Sequence, residues 1–234
     1  MTCGSHHAIS MTMSQISDNL DRLTRDIAKT ADEWGRAPES VNLVAVSKKQ
    51  PEERIEAALA AGHRLFGENR VQEAQERWEK RRADYPDLTL HLIGPLQTNK
   101  VKDAVALFDV IETLDRPKLA RKLAKEMANQ DRRLPCFIQV NTGKEDQKSG
   151  VMPEDVPELL NIARQDCGLN IVGLMCIPPL EEPPGLHFAF LKQMADDHGL
   201  SDLSMGMSGD YDKAIAAGAT YIRVGTGIFG KRPE

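Results

Sequence analysis

Short apolar segments alternate with longer segments of helical periodicity along almost the whole chain. Short apolar runs bounded by turn residues are typical of buried strands, whereas apolar residues three and four positions apart are typical of helices. Eight apolar runs occur, and each is followed by a segment with helical spacing. We therefore predict strands near residues 41–47, 65–69, 90–94, 109–114, 135–141, 170–177, 202–207 and 221–226.

The segments between these strands contain their own helix boundaries. Pro51 begins one helix and Gly62 ends it, because proline fits a first turn and glycine adopts the conformation that follows a last turn. Two further helices are predicted to start at an aspartate N-cap, next to a proline in one case and ahead of a terminating glycine in the other. These pairs are Asp115 with Pro117, and Asp210 with Gly218.

A further amphipathic helix precedes the first strand and ends at Gly35. Its apolar face is predicted from residues that recur along one side of a helix. They are Ile16, Leu20, Leu23, Ile27 and Trp34. The segment before it, residues 1–13, is expected to be disordered, because chain termini are poorly ordered unless they are packed.

Regular alternation of strands and helices indicates an α/β fold with parallel strands and right-handed crossovers. Eight such units close most naturally into a TIM-type (β/α)8 barrel, here with an extra N-terminal helix. The alternative is an open doubly wound sheet, which typically has a glycine-rich turn after its first strand. Residues 47–50, Ser-Lys-Lys-Gln, are no such turn, and no linker divides residues 1–234, so we predict one domain.

The composition is that of an ordinary globular protein, with 41% hydrophobic and 28% charged residues. The net charge is −5 and no block of Lys and Arg occurs, so nucleic acid and anionic membranes are not expected partners. No apolar segment approaches the roughly 20 residues that span a bilayer, and no signal-like segment begins the chain. We expect a cytoplasmic monomer without bound metal, since the cysteines lack ligand spacing.

Lys48 closes the first predicted strand, just before the helix start at Pro51. Chemistry in α/β proteins usually lies at this carboxyl end of the strands. A lysine that loses contact with water there favours its neutral amine, which can attack an aldehyde to form a Schiff base. The alternative is a lysine whose amine simply extends into solvent.

Hydroxyl and glycine residues follow the seventh and eighth predicted strands, where barrels of this kind bind phosphate. Their side chains and accessible N–H groups predict a phosphate-binding cup, although the same residues also build ordinary turns. The cup would consist of Ser208, Gly209, Gly225, Thr226 and Gly227.

Arg223 lies inside the last predicted strand, on the same face as Tyr221 and Gly225. A guanidinium inside a barrel needs a partner, which is either a carboxylate in a structural ion pair or a ring nitrogen of a ligand. Lys48, the cup and Arg223 together describe a site for pyridoxal 5′-phosphate (PLP), with the aldehyde at Lys48 and the pyridine nitrogen at Arg223. Because arginine keeps its proton, this cofactor would be a weak electron sink.

Three further features of the sequence carry weaker predictions. Asn69 is expected to stack on the cofactor or to form a hydrogen bond with it. His91, inside the third predicted strand, is interpreted as a core histidine rather than a proton-transfer group. The loop between Lys144 and Lys148 is interpreted as solvated, with a mobile lid as the alternative.

Several separated motifs resemble the pyridoxal phosphate homeostasis protein family, the single-domain relatives of the alanine racemase barrel. They are Val46-Ser47-Lys48 and the segments 66–69, 91–100, 203–208 and 223–230, so the resemblance extends from about Leu43 to Gly230. It implies a barrel that holds PLP on Lys48 and takes part in vitamin B6 balance without a firmly assigned reaction. The cofactor-binding residues expected on this basis are Lys48, Asn69, Met205, Ser208, Arg223, Gly225 and Thr226.

The chain departs from the family pattern at three positions: Lys49, Leu90 and Gly209. Lys49 matters most, because a second cation beside Lys48 either lowers the pKa of Lys48 further or competes for the cofactor. The sequence leaves both alternatives open.

Three functions are compatible with these residues. The first, which we favour, is a non-catalytic PLP-binding protein that holds the cofactor on Lys48 and passes it to B6-dependent enzymes. The second is a slow PLP-dependent amino-acid racemase or a related enzyme. Racemases of the related fold have a second base on a C-terminal domain, whereas this sequence ends about eight residues after the last predicted strand. The third is a barrel acting on sugar or indole phosphates, with Lys48 as an electrostatic clamp.

Overall fold

The structure is a computed structural model that describes residues 13–232. Parallel strands form a closed barrel in chain order, with β8 paired to β1. The predicted (β/α)8 barrel is therefore confirmed, and the open sheet is excluded. The strands are β1 (Asn42–Val46), β2 (Leu65–Glu68), β3 (Thr89–Leu92), β4 (Val110–Leu114), β5 (Cys136–Val140), β6 (Ile171–Cys176), β7 (Asp202–Met207) and β8 (Tyr221–Val224).

Helices surround the barrel and alternate with its strands. They are α1 (Met13–Glu33), α2 (Glu52–Ala60), α3 (Val71–Trp78), α4 (Arg81–Asp84), α5 (Val101–Leu107), α6 (Pro117–Asn129), α7 (Val156–Asn161), α8 (Pro184–Asp197), α9 (Tyr211–Ala216) and α10 (Thr226–Phe229). Within residues 13–232, no helix combines the length and the apolar character needed to cross a bilayer.

The extra N-terminal helix is present as α1 and packs against α2, α9 and α10. Four of its five predicted apolar residues are buried: Ile16, Leu20, Leu23 and Ile27. The prediction for Trp34 was wrong, because the helix ends at Glu33 and the Trp34 side chain is 61% exposed. Apart from Met13, which begins α1, the segment predicted to be disordered lies outside the described residues.

Helix boundaries follow the predicted signals at most positions. Gly62 and Gly218 have left-handed φ values of 88° and 103° after α2 and α9, as expected for glycines that end helices. Asp115 was wrong as an N-cap, because Pro117 is the first residue of α6 and Arg116 therefore occupies the capping position. Asp210 is the N-cap residue of α9 without a side-chain cap, and its carboxylate accepts a hydrogen bond from the Met207 N–H instead.

The barrel wall separates two buried layers. The outer layer lies between the strands and the helices and contains the large side chains Phe66, Trp78 and Phe108. The inner layer contains Phe137 and His91, which both contact the ring of Tyr221. Alternation along the strands separates the layers, because neighbouring residues point to opposite faces. The inner layer forms the base of the site described next.

Candidate functional site

Lys48 lies immediately after β1, in a turn that consists of residues 47–50 and is called the Lys48 turn below. The Gln50 N–H donates to the Ser47 carbonyl at 3.0 Å, which closes this turn. Val44 and Ala45 pair with Arg223 and Val224, so Lys48 follows β1 at the same barrel end at which β8 gives way to α10. The predicted placement of Lys48 at the carboxyl end of the first strand is confirmed.

The Lys48 side chain is half-buried, and partial loss of water lowers its pKa below the usual 10.5. The positive charge of Arg232 lowers this pKa further, and the negative charge of Glu68 opposes both effects. The charge of Lys49 acts in the same direction as burial. The balance favours a neutral amine at Lys48 more than in a solvated lysine.

Lys49 lies on another side of the same turn. With Glu52, Glu73, Glu76 and Arg77 it lines a surface depression of about 320 Å³. Of the two effects that the sequence left open for Lys49, its charge does lower the pKa of Lys48. The other lining residues of this depression include three carboxylates, Glu52, Glu73 and Glu76.

The turns after β7 and β8 meet at the predicted cup. The Gly227 N–H donates to the Ser208 Oγ at 3.4 Å, so the hydroxyl and the start of α10 lie side by side. Helix α1 supports this contact, since Asn19 donates to the Ile228 carbonyl at 2.9 Å and Arg22 donates to the Gly227 carbonyl at 3.3 Å. Thr226 is exposed at the first position of α10. Ser208 and Gly227 are thus held in place by contacts among the turn after β7, helix α10 and helix α1.

Asn69 follows β2 and has an unsatisfied acceptor. Its Oδ1 atom is buried and has no hydrogen-bond partner among residues 13–232. The loop after β3 approaches the Asn69 backbone so closely that it has room only for a glycine: a Cβ atom on Gly94 would lie 2.3 Å from the Asn69 carbonyl oxygen. A cavity of about 570 Å³ opens beside Asn69, between Arg70, Gln97 and Lys100. A buried acceptor next to a cavity is suited to a ligand that donates a hydrogen bond.

Arg223 is 4% exposed and points into the barrel, where it has protein partners. Its Nη1 donates to the Ser204 Oγ at 2.6 Å and lies 3.9 Å from Glu112 Oε2, and its Nη2 donates to the Cys176 carbonyl at 2.8 Å. The carboxylate partner that the sequence offered as one alternative therefore exists. Since a guanidinium has about five donors in a planar fork, donors remain for a further acceptor.

Glu112 completes this buried network. It was not predicted as a site residue from the sequence. Its Oε1 bonds His91 Nδ1 at 2.6 Å, and its Oε2 accepts from Ser204 at 2.5 Å. Burial alone would raise the pKa of Glu112, but the contacts to His91, Arg223 and Ser204 together lower it below 4.5. His91 is 1% exposed and satisfied by Glu112, which agrees with its interpretation as a core histidine. The signal for Glu112 was a lone carboxylate in the apolar strand Val-Ile-Glu-Thr-Leu.

The remaining predicted residues lie at different depths. Met205 is fully buried in the main apolar core, so its side chain supports the strand and is not exposed at the mouth. Gly225 precedes α10, and a Cβ atom there would lie 3.4 Å from the Val46 carbonyl oxygen. In the loop after β5, Lys144 and Lys148 form salt bridges with Glu154 and Glu145 at 3.0 and 2.6 Å. The second salt bridge lies within the loop, and the first joins the loop to the short helical turn at Pro153–Asp155 on the surface.

The chain is similar in sequence to known proteins over most of its length. The family described as alanine racemase, N-terminal domain, matches residues 19–233. A pyridoxal phosphate homeostasis protein from Vibrio alginolyticus is 41% identical over 230 residues, which cover 94% of this chain and 99% of that protein.

Solved structures of PipY from Synechococcus elongatus PCC7942 have the same fold. The structure with PLP bound has a TM-score of 0.80 at 38% identity, and covers 92% of this chain and 100% of PipY. The structure without PLP has a TM-score of 0.82 at 39% identity, with the same coverage of both chains.

Proposed function

The chain belongs to the pyridoxal phosphate homeostasis protein family, and from this premise we propose that it binds PLP covalently through Lys48 and acts in cofactor homeostasis. When bound, PLP supplies an aldehyde that condenses with a neutral primary amine and releases water. The observation that carries the proposal is the lowered pKa of Lys48 at the barrel end where Ser208 and Gly227 meet. An amine that loses its proton more readily than a solvated lysine and a cup for an anion are the two features that this cofactor requires.

The residues at the mouth fit the chemical groups of PLP. Ser208 and Thr226 offer hydroxyls, and Gly225 and Gly227 offer close backbone approach, for the phosphate. The unpaired Asn69 Oδ1 offers an acceptor to the cofactor. Met205 has a supporting role in this proposal, because its side chain packs the strand that leads to Ser208.

Arg223 would contact the pyridine nitrogen through the donors that its protein partners leave free. Glu112 and Ser204 contact the guanidinium and orient it. Because an arginine keeps its proton at neutral pH, Arg223 in this position would leave the ring nitrogen unprotonated, and the bound cofactor would then be a weak electron sink.

We propose that the protein works in the cytoplasm as a monomer that gives up its cofactor to B6-dependent enzymes. A carrier must release PLP, and release would require access to Lys48 for either water, which returns the free aldehyde and the Lys48 amine, or a second amine, which takes over the aldehyde and frees the Lys48 amine. The half-buried position of Lys48 supports such access.

A chirality experiment separates the carrier from the alternative, a slow racemase. The PLP-loaded protein is incubated with single-enantiomer amino acids, and the opposite enantiomer is followed by chiral chromatography. A carrier produces no enantiomer above the level found with free PLP. Sustained turnover that disappears in Lys48→Ala would overturn the carrier proposal and favour the racemase.

A further inference from the structure

Arg77, on α3, binds both ends of the Lys48 turn from outside the barrel. Its Nη1 donates to the Ser47 carbonyl at 2.9 Å, and its Nη2 donates to the Gln50 carbonyl at 3.1 Å. These two carbonyls flank Lys48 and Lys49 in the chain. The planar guanidinium therefore acts as a bracket that fixes the distance between the ends of the turn.

The turn has a backbone conformation that needs support. Lys49 has a φ of 58°, in the left-handed region that residues with a Cβ atom rarely adopt. Such a conformation is strained and persists only where the surrounding structure fixes it. Because Lys49 is exposed, most of the support must come from the flanking residues.

Arg77 is itself fixed by a buried carboxylate. Glu68 is fully buried at the end of β2, and its Oε1 accepts from Arg77 at 2.8 Å, from Ser47 Oγ at 2.7 Å and from Trp78 Nε1 at 3.0 Å. Arg77 also donates to Glu52 Oε1 at 3.0 Å. The arginine is thus held by two carboxylates while it holds two carbonyls of the turn.

We propose that Arg77 is the positioning residue for Lys48, with Glu68 as its buried anchor. The bracket keeps residues 47–50 in the one conformation that directs Lys48 from the end of β1 to the barrel mouth. Arg77 does not touch the cofactor in this scheme. The inference rests on the proposed attachment of PLP to Lys48 and deepens it.

The test compares Arg77→Met with Arg77→Lys in the full-length apo protein mixed with PLP. The visible absorption band gives the limiting rate of attachment and the half-saturating PLP concentration. We expect Arg77→Met to lower the limiting rate by about 10- to 100-fold with little change in the half-saturating concentration, because small misplacements of a reacting group have effects of this size. Arg77→Lys, which keeps the charge without the fork, should recover part of the rate.

Arg81→Met is the matched control. Arg81 forms salt bridges with Glu52 and Glu56 and donates to the Arg77 backbone carbonyl, and within residues 13–232 it makes no hydrogen bond or salt bridge with the Lys48 turn. It should attach PLP at the wild-type rate. Since Arg77→Met leaves Glu68 buried without its charge partner, the double variant Glu68→Gln/Arg77→Met removes that penalty and should remain slow in attachment.

A readout without cofactor completes the test. Amide hydrogen exchange of residues 48–50 in the apo protein should increase in Arg77→Met and stay unchanged in Arg81→Met. Unchanged attachment and unchanged exchange in a folded Arg77→Met protein would overturn the positioning role. Absence of attachment to Lys48 in the wild-type protein would instead overturn the proposed function, while the exchange result would still decide whether Arg77 orders the turn.

Discussion

Glu112 and Arg223 face each other inside the barrel, 3.9 Å apart, and the hydroxyl of Ser204 bonds to both. The carboxylate is fully buried and the guanidinium is almost so. Each therefore depends on the other for its charge to be stable in a medium of low dielectric constant. This pair forms the base of the site below Lys48, and its integrity affects both stability and the orientation of Arg223.

The first prediction concerns the loss of this charge pair. Glu112→Gln should lower the free energy of unfolding by about 3–5 kcal/mol at neutral pH, because Arg223 would remain buried without a counter-charge. Urea denaturation followed by circular dichroism measures this change. The double variant Glu112→Gln/Arg223→Met should recover much of the loss, and a Glu112→Gln protein as stable as wild type would contradict the account.

The second prediction follows from the lowered pKa of Glu112. Because its folded-state pKa lies below the unfolded value, the carboxylate contributes stability above the unfolded pKa of about 4.5, and this contribution is lost as pH falls through the folded pKa. Stability should therefore rise with pH less steeply in Glu112→Gln than in wild type below this value. Glu158→Gln, at an exposed position, should keep the wild-type slope in urea denaturation across the acid range. Equal slopes in all three proteins would refute the role of Glu112.

The third prediction concerns the cup. Ser208→Ala should weaken PLP binding by about tenfold to a hundredfold, since hydrogen bonds to charged groups contribute about 1.5–3 kcal/mol. Absorbance titration of the apo protein measures the dissociation constant. Ser201→Ala, at an exposed position before β7, is the matched control and should bind as wild type. If Ser208→Ala binds PLP as tightly as Ser201→Ala and the wild type, the phosphate does not contact Ser208.

The fourth prediction concerns the approach of Gly94 to Asn69. Gly94→Ala should cost about 1–3 kcal/mol of stability, because the added Cβ would lie 2.3 Å from a backbone oxygen that must move. Thermal unfolding measures the change. Gly185→Ala, where an added Cβ atom would meet no side chain and no backbone outside its own helix turn within 4 Å, should leave stability unchanged or slightly raised. A Gly94→Ala protein as stable as wild type would contradict this prediction, because the loop after β3 would then move away from Asn69 without loss of stability.

The barrel and much of its mouth could be predicted from the sequence for a simple physical reason. Apolar runs and helix boundaries are local signals, and closure of the barrel brings the strand ends to one edge, so Lys48, Ser208 and Gly227 could be assigned to one end of the barrel in advance. The predictions for Trp34 and Asp115 were wrong because both residues lie beside helix ends, where a shift of one residue decides whether a residue belongs to the helix or caps it.

The buried network could not be predicted, because its members are distant in the chain. Glu112 and Ser204 are 92 positions apart, and their contact depends on the register of β4 and β7. Both strands have irregular pairing at these residues, between Ile111 and Leu114 and between Ser204 and Met207. Such irregularities change which side chains face the interior, and they have no local sequence signature here.

The most direct test of the central claim is to identify the attachment residue. The protein loaded with PLP is reduced with borohydride, digested and analysed by peptide mass spectrometry, with Lys48→Ala and Lys49→Ala as matched variants. We predict a reduced PLP adduct on Lys48, its retention in Lys49→Ala and the loss of both the adduct and the visible band in Lys48→Ala. A protein without a visible band, or an adduct on another lysine with Lys48 unmodified, would contradict the account.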